Sequence, residues 1–168
     1  INYSFEKDSD GSTYLNLPRQ NDGPKLMVKG SESETGEFSA DIKKDGDGPV
    51  GFVLKGGDLR YGADAFNGYE IGFVKDGEKN FVRVGRHVNN FNKLQDFEYT
   101  PSGTGWDNLK VVYTANTYEI FVNGTSLGVC TDDAPEKVTS GQVGFRNWNG
   151  GVQYKNIKFK NGDGQLTD

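Results

Sequence analysis

Polar and aromatic side chains interrupt three short apolar segments in positions where they could contact a ligand together. The segments are GYEIGFV (68–74), NFVRVGR (80–86) and GQVGFRNW (141–148). In a β-strand, successive side chains point to opposite faces. If the apolar residues face a core, four side chains face away from it, with glycines between them. These four are Glu70, Arg83, Arg146 and Trp148.

This set of side chains is typical of a carbohydrate site. Glycines lower the strand surface so that a ligand can approach closely. A carboxylate and guanidinium groups form charge-assisted hydrogen bonds with neighbouring hydroxyls, and an indole offers a flat apolar face to a sugar ring. A structural alternative stays open, since Arg and Glu on neighbouring strands often form ion pairs that contribute about 0.2–1 kcal/mol. An outward tryptophan can also simply cover a loop.

Motifs for catalysis are not evident in the sequence. His87 is the only histidine, no nucleophile motif such as G-x-S-x-G accompanies it, and we expect it on the surface or in a loop. A glycosidase would need two facing carboxylates, and the E-x-D-x-E strand signature of some β-sandwich glucanases is absent. Catalysis by this chain is therefore not expected, although a hydrolase with an unrecognised carboxylate pair is an alternative.

An acidic segment near the amino terminus is a candidate calcium site. FEKDSDGS (5–12) places Glu6, Asp8 and Asp10 close together before a glycine, and oxygen ligands at such a turn can hold Ca²⁺. The alternative is a polar surface loop. The single cysteine, Cys130, has apolar neighbours and is predicted to be a small core residue.

Composition and charge limit the class of protein. A chain of 168 residues with net charge −5 fits one domain and argues against nucleic-acid binding, which needs a clustered basic face. No apolar run is long enough to span a bilayer. The start at Ile1, without a methionine, predicts an excised module or a mature product. We expect the protein to be a monomer.

The elements that must position these side chains are strands. Short alternating segments recur between turn signals such as DGDG at 45–48 and NG at 123–124, and no run has the apolar spacing of an amphipathic helix. We therefore predict an all-β, two-sheet antiparallel β-sandwich. Residues 1–160 form one domain in this prediction, and 161–168 form a polar C-terminal linker.

The order of these segments resembles a known family. Four segments within residues 37–160 resemble the concanavalin-A-like jelly rolls of family 66 carbohydrate-binding modules. The segments are FSADIKKDGDGPVGFVLKGG, NGYEIGFVKDGEKNFVRVGR, WDNLKVVYTANTYEIFVNGTSLGVCTDD and SGQVGFRNWNGGVQYKNIKF. They are also similar to the C-terminal β-sandwich of family 32 glycoside hydrolases. The most specific piece is the last one, in which GQVGFRNWNGG precedes an aromatic residue and NIKF.

The resemblance implies a secreted or cell-surface bacterial module, often with structural Ca²⁺, attached to a glycan-degrading enzyme. Family 66 modules are associated with the terminal fructose of levan and related fructans. The positions that match are Glu70, Arg146 and Trp148, with Arg83 a looser match. The loop KGGDLRYGADAFNG (55–68) would overlook them and supply Tyr61 and Asp64 as rim contacts. This loop departs from the tighter family version.

Besides the hydrolase alternative, three interpretations follow from the sequence. The leading one is a non-catalytic module that binds terminal sugars of a fructan and targets an attached glycoside hydrolase. A module for galactose-, glucose- or sialic-acid-containing glycans is an alternative, since one fold serves many ligands. The third is a structural or adhesive β-sandwich of a multidomain extracellular protein, in which Arg146 and Trp148 pack against a neighbouring domain.

Overall fold

The computed structural model describes residues 2–20, 23–162 and 166–167, and every regular element in this part of the chain is a β-strand. Accordingly, it contains no helix that is long and apolar enough to cross a membrane. The strands are β1 (Ser4–Lys7), β2 (Thr13–Leu17), β3 (Lys25–Met27), β4 (Gly36–Lys44), β5 (Val50–Gly57), β6 (Asn67–Asp76), β7 (Lys79–Val88), β8 (Phe91–Tyr99), β9 (Asp107–Tyr113), β10 (Thr117–Val122), β11 (Thr125–Thr131), β12 (Gln142–Asn147), β13 (Val152–Asn161) and β14 (Leu166–Thr167).

The strands form two antiparallel sheets that pack as a sandwich. The eight-stranded sheet has the order β1-β2-β13-β4-β9-β10-β11, with β14 also pairing with β13. The six-stranded sheet has the order β3-β12-β5-β6-β7-β8. This arrangement confirms the predicted all-β, two-sheet jelly roll.

The core lies between the sheets and follows the predicted alternation. On the six-stranded sheet, Ile71, Val84 and Phe145 are buried in it, each at the inward position of its strand. On the facing sheet, Phe38 packs against Phe52 with ring centroids 4.4 Å apart. Fully burying a side chain of this size contributes about 1.5–3 kcal/mol. Cys130 also lies in this core, as predicted, and burial raises the pKa of its thiol to about 11.

The predicted boundary at residue 160 falls near the end of β13. That strand ends at Asn161, and Phe159 and Lys160 pair with β14. Residues 163–165 and 168 of the predicted linker lie outside the described residues. The division of the chain at this point stays a prediction.

Candidate functional site

A cavity of about 250 Å³ opens on the outer face of the six-stranded sheet. Strands β6, β7, β8 and β12 contribute to it, together with the segment before β5 and the loop between β5 and β6, residues 58–66, which we call the rim loop. The residues that line the cavity are Pro49, Asp64, Glu70, Arg83, Phe91, Arg146 and Trp148. Five of the six predicted ligand residues therefore meet at one cavity.

The register of the sheet explains the spacing of the two arginines. Arg146 pairs with Gly51, Gly51 with Gly72, and Gly72 with Arg83, so that one row crosses four strands. No side chain stands between the two guanidinium groups along this row. Glycine is required there, because a Cβ on Gly51 would lie 2.5 Å from the backbone oxygen of Ile71.

Arg146 is the most enclosed charged group of the cavity. It is 3% exposed, so the sequence-based expectation of a solvent-facing guanidinium is wrong for this residue. Nη1 donates to the backbone oxygen of Ala63, Nη2 donates to Asp64 Oδ1 at 3.0 Å, and Nε lies 3.4 Å from Glu70 Oε1. The rim loop covers this arginine by binding it at two points.

Glu70 is also buried, at 6% exposure, and it connects Arg146 to His87. Its Oε1 lies 2.9 Å from His87 Nε2. His87 is fully buried, and its ring stacks on Phe66 with centroids 4.2 Å apart. The expectation of a surface or loop histidine is therefore wrong, because β7 continues through this position and Phe66 closes over the ring.

Arg83 lines the opposite side of the cavity and is held by carboxylates of its own sheet. Nε donates to Asp96 Oδ1 at 2.9 Å, and Nη2 donates to Asp96 Oδ2 at 3.0 Å and to Asp76 at 3.3 Å. The hydrogen bond to Asp96 raises the pKa of the guanidinium above its usual value. Asp96 is the direct cross-strand partner of Arg83, so the ion-pair alternative and the cavity-lining position both apply to this arginine.

Aromatic side chains form the apolar walls. Trp148 is 46% exposed, and its backbone N–H donates to Pro49 O at 2.9 Å, which anchors it beside the cavity. Phe91 lies over Gly85, where a Cβ would come within 2.2 Å of the ring. Gly85 therefore makes room for Phe91 and does not form an open floor, in contrast to the role predicted for the glycines.

The remaining predicted site residues lie elsewhere. Tyr61 is on the rim loop, 91% exposed, and does not line the cavity. Asp8 lies 3.5 Å from Lys155 Nζ, Glu6 accepts a hydrogen bond from Ser4, and Asp10 accepts two from Ser12.

These three acidic residues were the predicted calcium ligands. The part of the chain that the structure describes contains no group of three or more His, Cys, Asp or Glu side chains that could hold a metal ion. The predicted calcium site gains no support from these positions and stays a prediction.

The sequence contained a signal for the position of His87, but the residue was interpreted as a surface or loop histidine. Arg83, Gly85 and His87 alternate along β7, so the period that placed Arg83 on the outer face also places His87 there. Phe91 lies in the next strand, opposite His87. No local pattern indicated that the ring of Phe91 would lie over Gly85, since that contact depends on the pairing of β7 with β8.

The cavity thus combines hydrogen-bonding and apolar surfaces. Glu70 and Asp64 offer acceptors, Arg83 and Arg146 offer donors, and each of these groups already has a partner of opposite charge. A ligand hydroxyl, which both donates and accepts, can join such pairs without leaving a charge uncompensated. The indole of Trp148 offers a flat apolar face beside them.

Comparison with known proteins yields a family and a fold. The family model for the 3-keto-alpha-glucoside-1,2-lyase-like domain matches residues 2–160. No curated protein matches the sequence.

Several solved structures are similar over most of their length. Carbohydrate binding module CBM66 from Bacillus subtilis has a TM-score of 0.64 at 16% identity, covering 93% of this chain and 90% of that one. A Bacillus subtilis protein of unknown function with a galectin-like fold has a TM-score of 0.66 at 12% identity, covering 98% and 88%. Alginate lyase A1-II′ has a TM-score of 0.61 at 12% identity, covering 94% and 82%. At these identities the similarity establishes the fold alone.

Proposed function

This chain belongs to the 3-keto-alpha-glucoside-1,2-lyase-like domain family, and we propose that its cavity binds a saccharide. In this proposal the cavity holds a terminal sugar residue without cleaving it. The first candidate ligand is the terminal fructose of levan-type fructans. The observation that carries the proposal is the meeting of Glu70, Arg83, Arg146 and Trp148 at one cavity of about 250 Å³. These four residues come from three separate segments of the sequence.

The charge balance of the cavity favours a neutral sugar. Arg146 is paired with Asp64 and Glu70, and Arg83 is paired with Asp96 and Asp76. A carboxylate on the ligand would have to compete with these carboxylates for the guanidinium groups. Neutral fructose-, glucose- or galactose-type residues therefore fit better than sialic acid or a uronic acid.

The size of the cavity favours a single sugar residue at a chain end. Its volume of about 250 Å³ is below the roughly 300–1,000 Å³ typical of sites for drug-sized molecules. A hexose has about 12 non-hydrogen atoms, and at about −0.3 kcal/mol per atom it would bind with about −4 kcal/mol, which corresponds to a millimolar Kd. The role we propose for such binding is targeting, in which the module concentrates a covalently linked catalytic domain at an extracellular polysaccharide.

The test is a titration of fructose, levan and inulin, followed by NMR and calorimetry at millimolar ligand, with a broad glycan array if the fructans fail. Trp148→Ala removes a half-exposed wall of the cavity, and we expect at least a tenfold loss of affinity. Trp106→Ala is the matched control, because Trp106 is the other tryptophan and its ring lies against Lys155 of the eight-stranded sheet. Equal binding by wild type and Trp148→Ala would exclude this cavity as the site.

Elimination on a 3-keto-α-glucoside is a second candidate function, favoured by the family and by the buried pair of Glu70 and His87. A C3 ketone acidifies the proton on C2. A carboxylate base takes this proton, the enolate oxygen is stabilised by a cation, and the C1–O bond breaks as the aglycone leaves and takes up a proton. Glu70 would be the base and Arg146 or Arg83 the cation.

Turnover separates the two candidates. The substrate is a nitrophenyl 3-keto-α-glucoside, and the readout is release of nitrophenol. If the chain is an enzyme, release is catalytic and Glu70→Gln abolishes it, whereas Asp58→Asn, an exposed change on the rim loop, preserves it. If the chain is a binding module, release does not exceed the buffer rate, and saccharide binding persists.

A further inference from the structure

Four charged or titratable side chains, three of which line the cavity, form a closed ring of contacts, which we call the ion-pair ring. Glu70 Oε1 contacts both Arg146 Nε, at 3.4 Å, and His87 Nε2, at 2.9 Å. Asp64 Oδ1 contacts both Arg146 Nη2, at 3.0 Å, and His87 Nδ1, at 3.8 Å. Each carboxylate thus bridges the arginine and the histidine.

The histidine has an unsatisfied atom in this ring. His87 is fully buried, and its Nδ1 has no hydrogen-bond partner. A neutral imidazole carries one N–H and one lone pair. With the proton on Nε2, the lone pair of Nδ1 faces Asp64, and with the proton on Nδ1, the lone pair of Nε2 faces Glu70. Only the imidazolium donates to both carboxylates.

Two aromatic rings and two carboxylates surround His87. Phe66 of the rim loop stacks on one side, and Phe91 of β8 lies 5.3 Å away, so these two neighbours provide no competing polar group. The charged groups that face it are Asp64 from the rim loop and Glu70 from β6, with Arg146 of β12 behind them. From β3, Lys25 lies 5.4 Å from the centre of the Phe66 ring and donates to the rim-loop oxygen of Gly62. When His87 is neutral, the ion-pair ring carries one positive charge, on Arg146, and two negative charges, on Asp64 and Glu70.

We propose that His87, as an imidazolium, is the positioning residue of the cavity: it holds Glu70 in the floor and Asp64 in the rim loop, and saccharide affinity increases when it takes up a proton. The distance of 3.8 Å between Nδ1 and Asp64 Oδ1 is beyond a hydrogen bond, and protonation draws the two atoms together. Asp64 also lines the cavity, so this movement fixes a ligand contact. The effect on affinity rests on the proposed saccharide site.

The first experiment needs no ligand. His87 is the only histidine, so in tag-free protein its Cε1–H proton resonance requires no assignment. The titration midpoint of this resonance is measured between pH 5 and 8.5 in wild type, Asp64→Asn and Asp58→Asn. We expect Asp64→Asn to lower the midpoint and Asp58→Asn, which removes an exposed carboxylate from the same loop, to leave it unchanged. Equal midpoints in all three proteins would overturn the proposal.

The second experiment measures the coupling to saccharide. If fructose binds the protonated form about fivefold more tightly, saturating fructose raises the titration midpoint of the His87 resonance by about 0.7 pH unit, because linkage is reciprocal. His87→Gln retains a donor toward Glu70 and cannot take up a proton, so its affinity should be constant across this pH range. A wild-type affinity that is equally constant would refute the coupling. If no saccharide binds at all, the proposed function fails, and the ligand-free titration still decides the role of His87.

Discussion

Lys55 gives a quantitative test of the fold. It lies in β5, two residues before the end of the strand, and it is fully buried between the sheets. Its Nζ donates to Thr114 O at 2.6 Å and to Ala115 O at 3.1 Å. The ring of Tyr118 lies 4.7 Å from this nitrogen. Burial lowers the pKa of the ammonium group to about 8.

The direction of the resulting pH dependence is unusual for a lysine that has hydrogen-bond partners. Between about pH 8 and the unfolded value of about 10.4, the unfolded chain binds a proton at this position and the folded chain does not. Stability therefore rises as the pH increases through this window. From these two pKa values, Lys55 should add about 2 kcal/mol to the free energy of unfolding between pH 7.5 and 9.5.

Urea denaturation at pH 7.5 and 9.5 measures this contribution. The change in the free energy of unfolding of Lys55→Met is subtracted from that of wild type, which removes the contribution of other titrating groups. Lys79→Met is the control, since Lys79 is on the surface, and it should behave as wild type. A difference below about 0.5 kcal/mol between wild type and Lys55→Met, with both proteins folded, would refute the reasoning from burial.

Two further predictions concern the cavity. Arg146→Met removes the guanidinium that pairs with Glu70 and Asp64, and it should lower the free energy of unfolding by about 3–5 kcal/mol. Adding Glu70→Gln should recover part of this loss in a double-mutant cycle followed by urea denaturation; additive losses would contradict the direct pairing of Arg146 and Glu70. Gly85→Ala places a methyl group against the ring of Phe91, which should cost about 1–3 kcal/mol and weaken saccharide binding. Unchanged thermal stability and affinity in Gly85→Ala would show that the position of the Phe91 ring does not depend on that glycine.

The strands and their faces were predictable because they depend on local sequence. Ile71, Val84 and Phe145 occupy alternating apolar positions of their strands, and all three are buried in the core. The same period put Glu70 and Arg146 together on the other face. Turn signals divided the strands well enough to predict a two-sheet sandwich.

The predictions were wrong where the exposure of a residue depends on contacts with segments that are distant in the sequence. Arg146 was expected to face solvent, but the rim loop, more than 80 residues earlier in the sequence, binds it at Ala63 and Asp64. His87 was expected at the surface, but Phe66 and Phe91 enclose it. Burial by another segment has no signature in the residue that is buried.

The sequence alone determined which side chains share a face, because alternation is a property of a single strand. Only the tertiary structure decided which of them meet, since strand order brings β12 beside β5 and places the two arginines at the ends of one row that crosses four strands. It also decided their partners and their exposure, because the rim loop and the neighbouring strand supply Asp64 and Asp96. Pairing and burial depend on distances between segments, and these distances exist only once the sheets have formed.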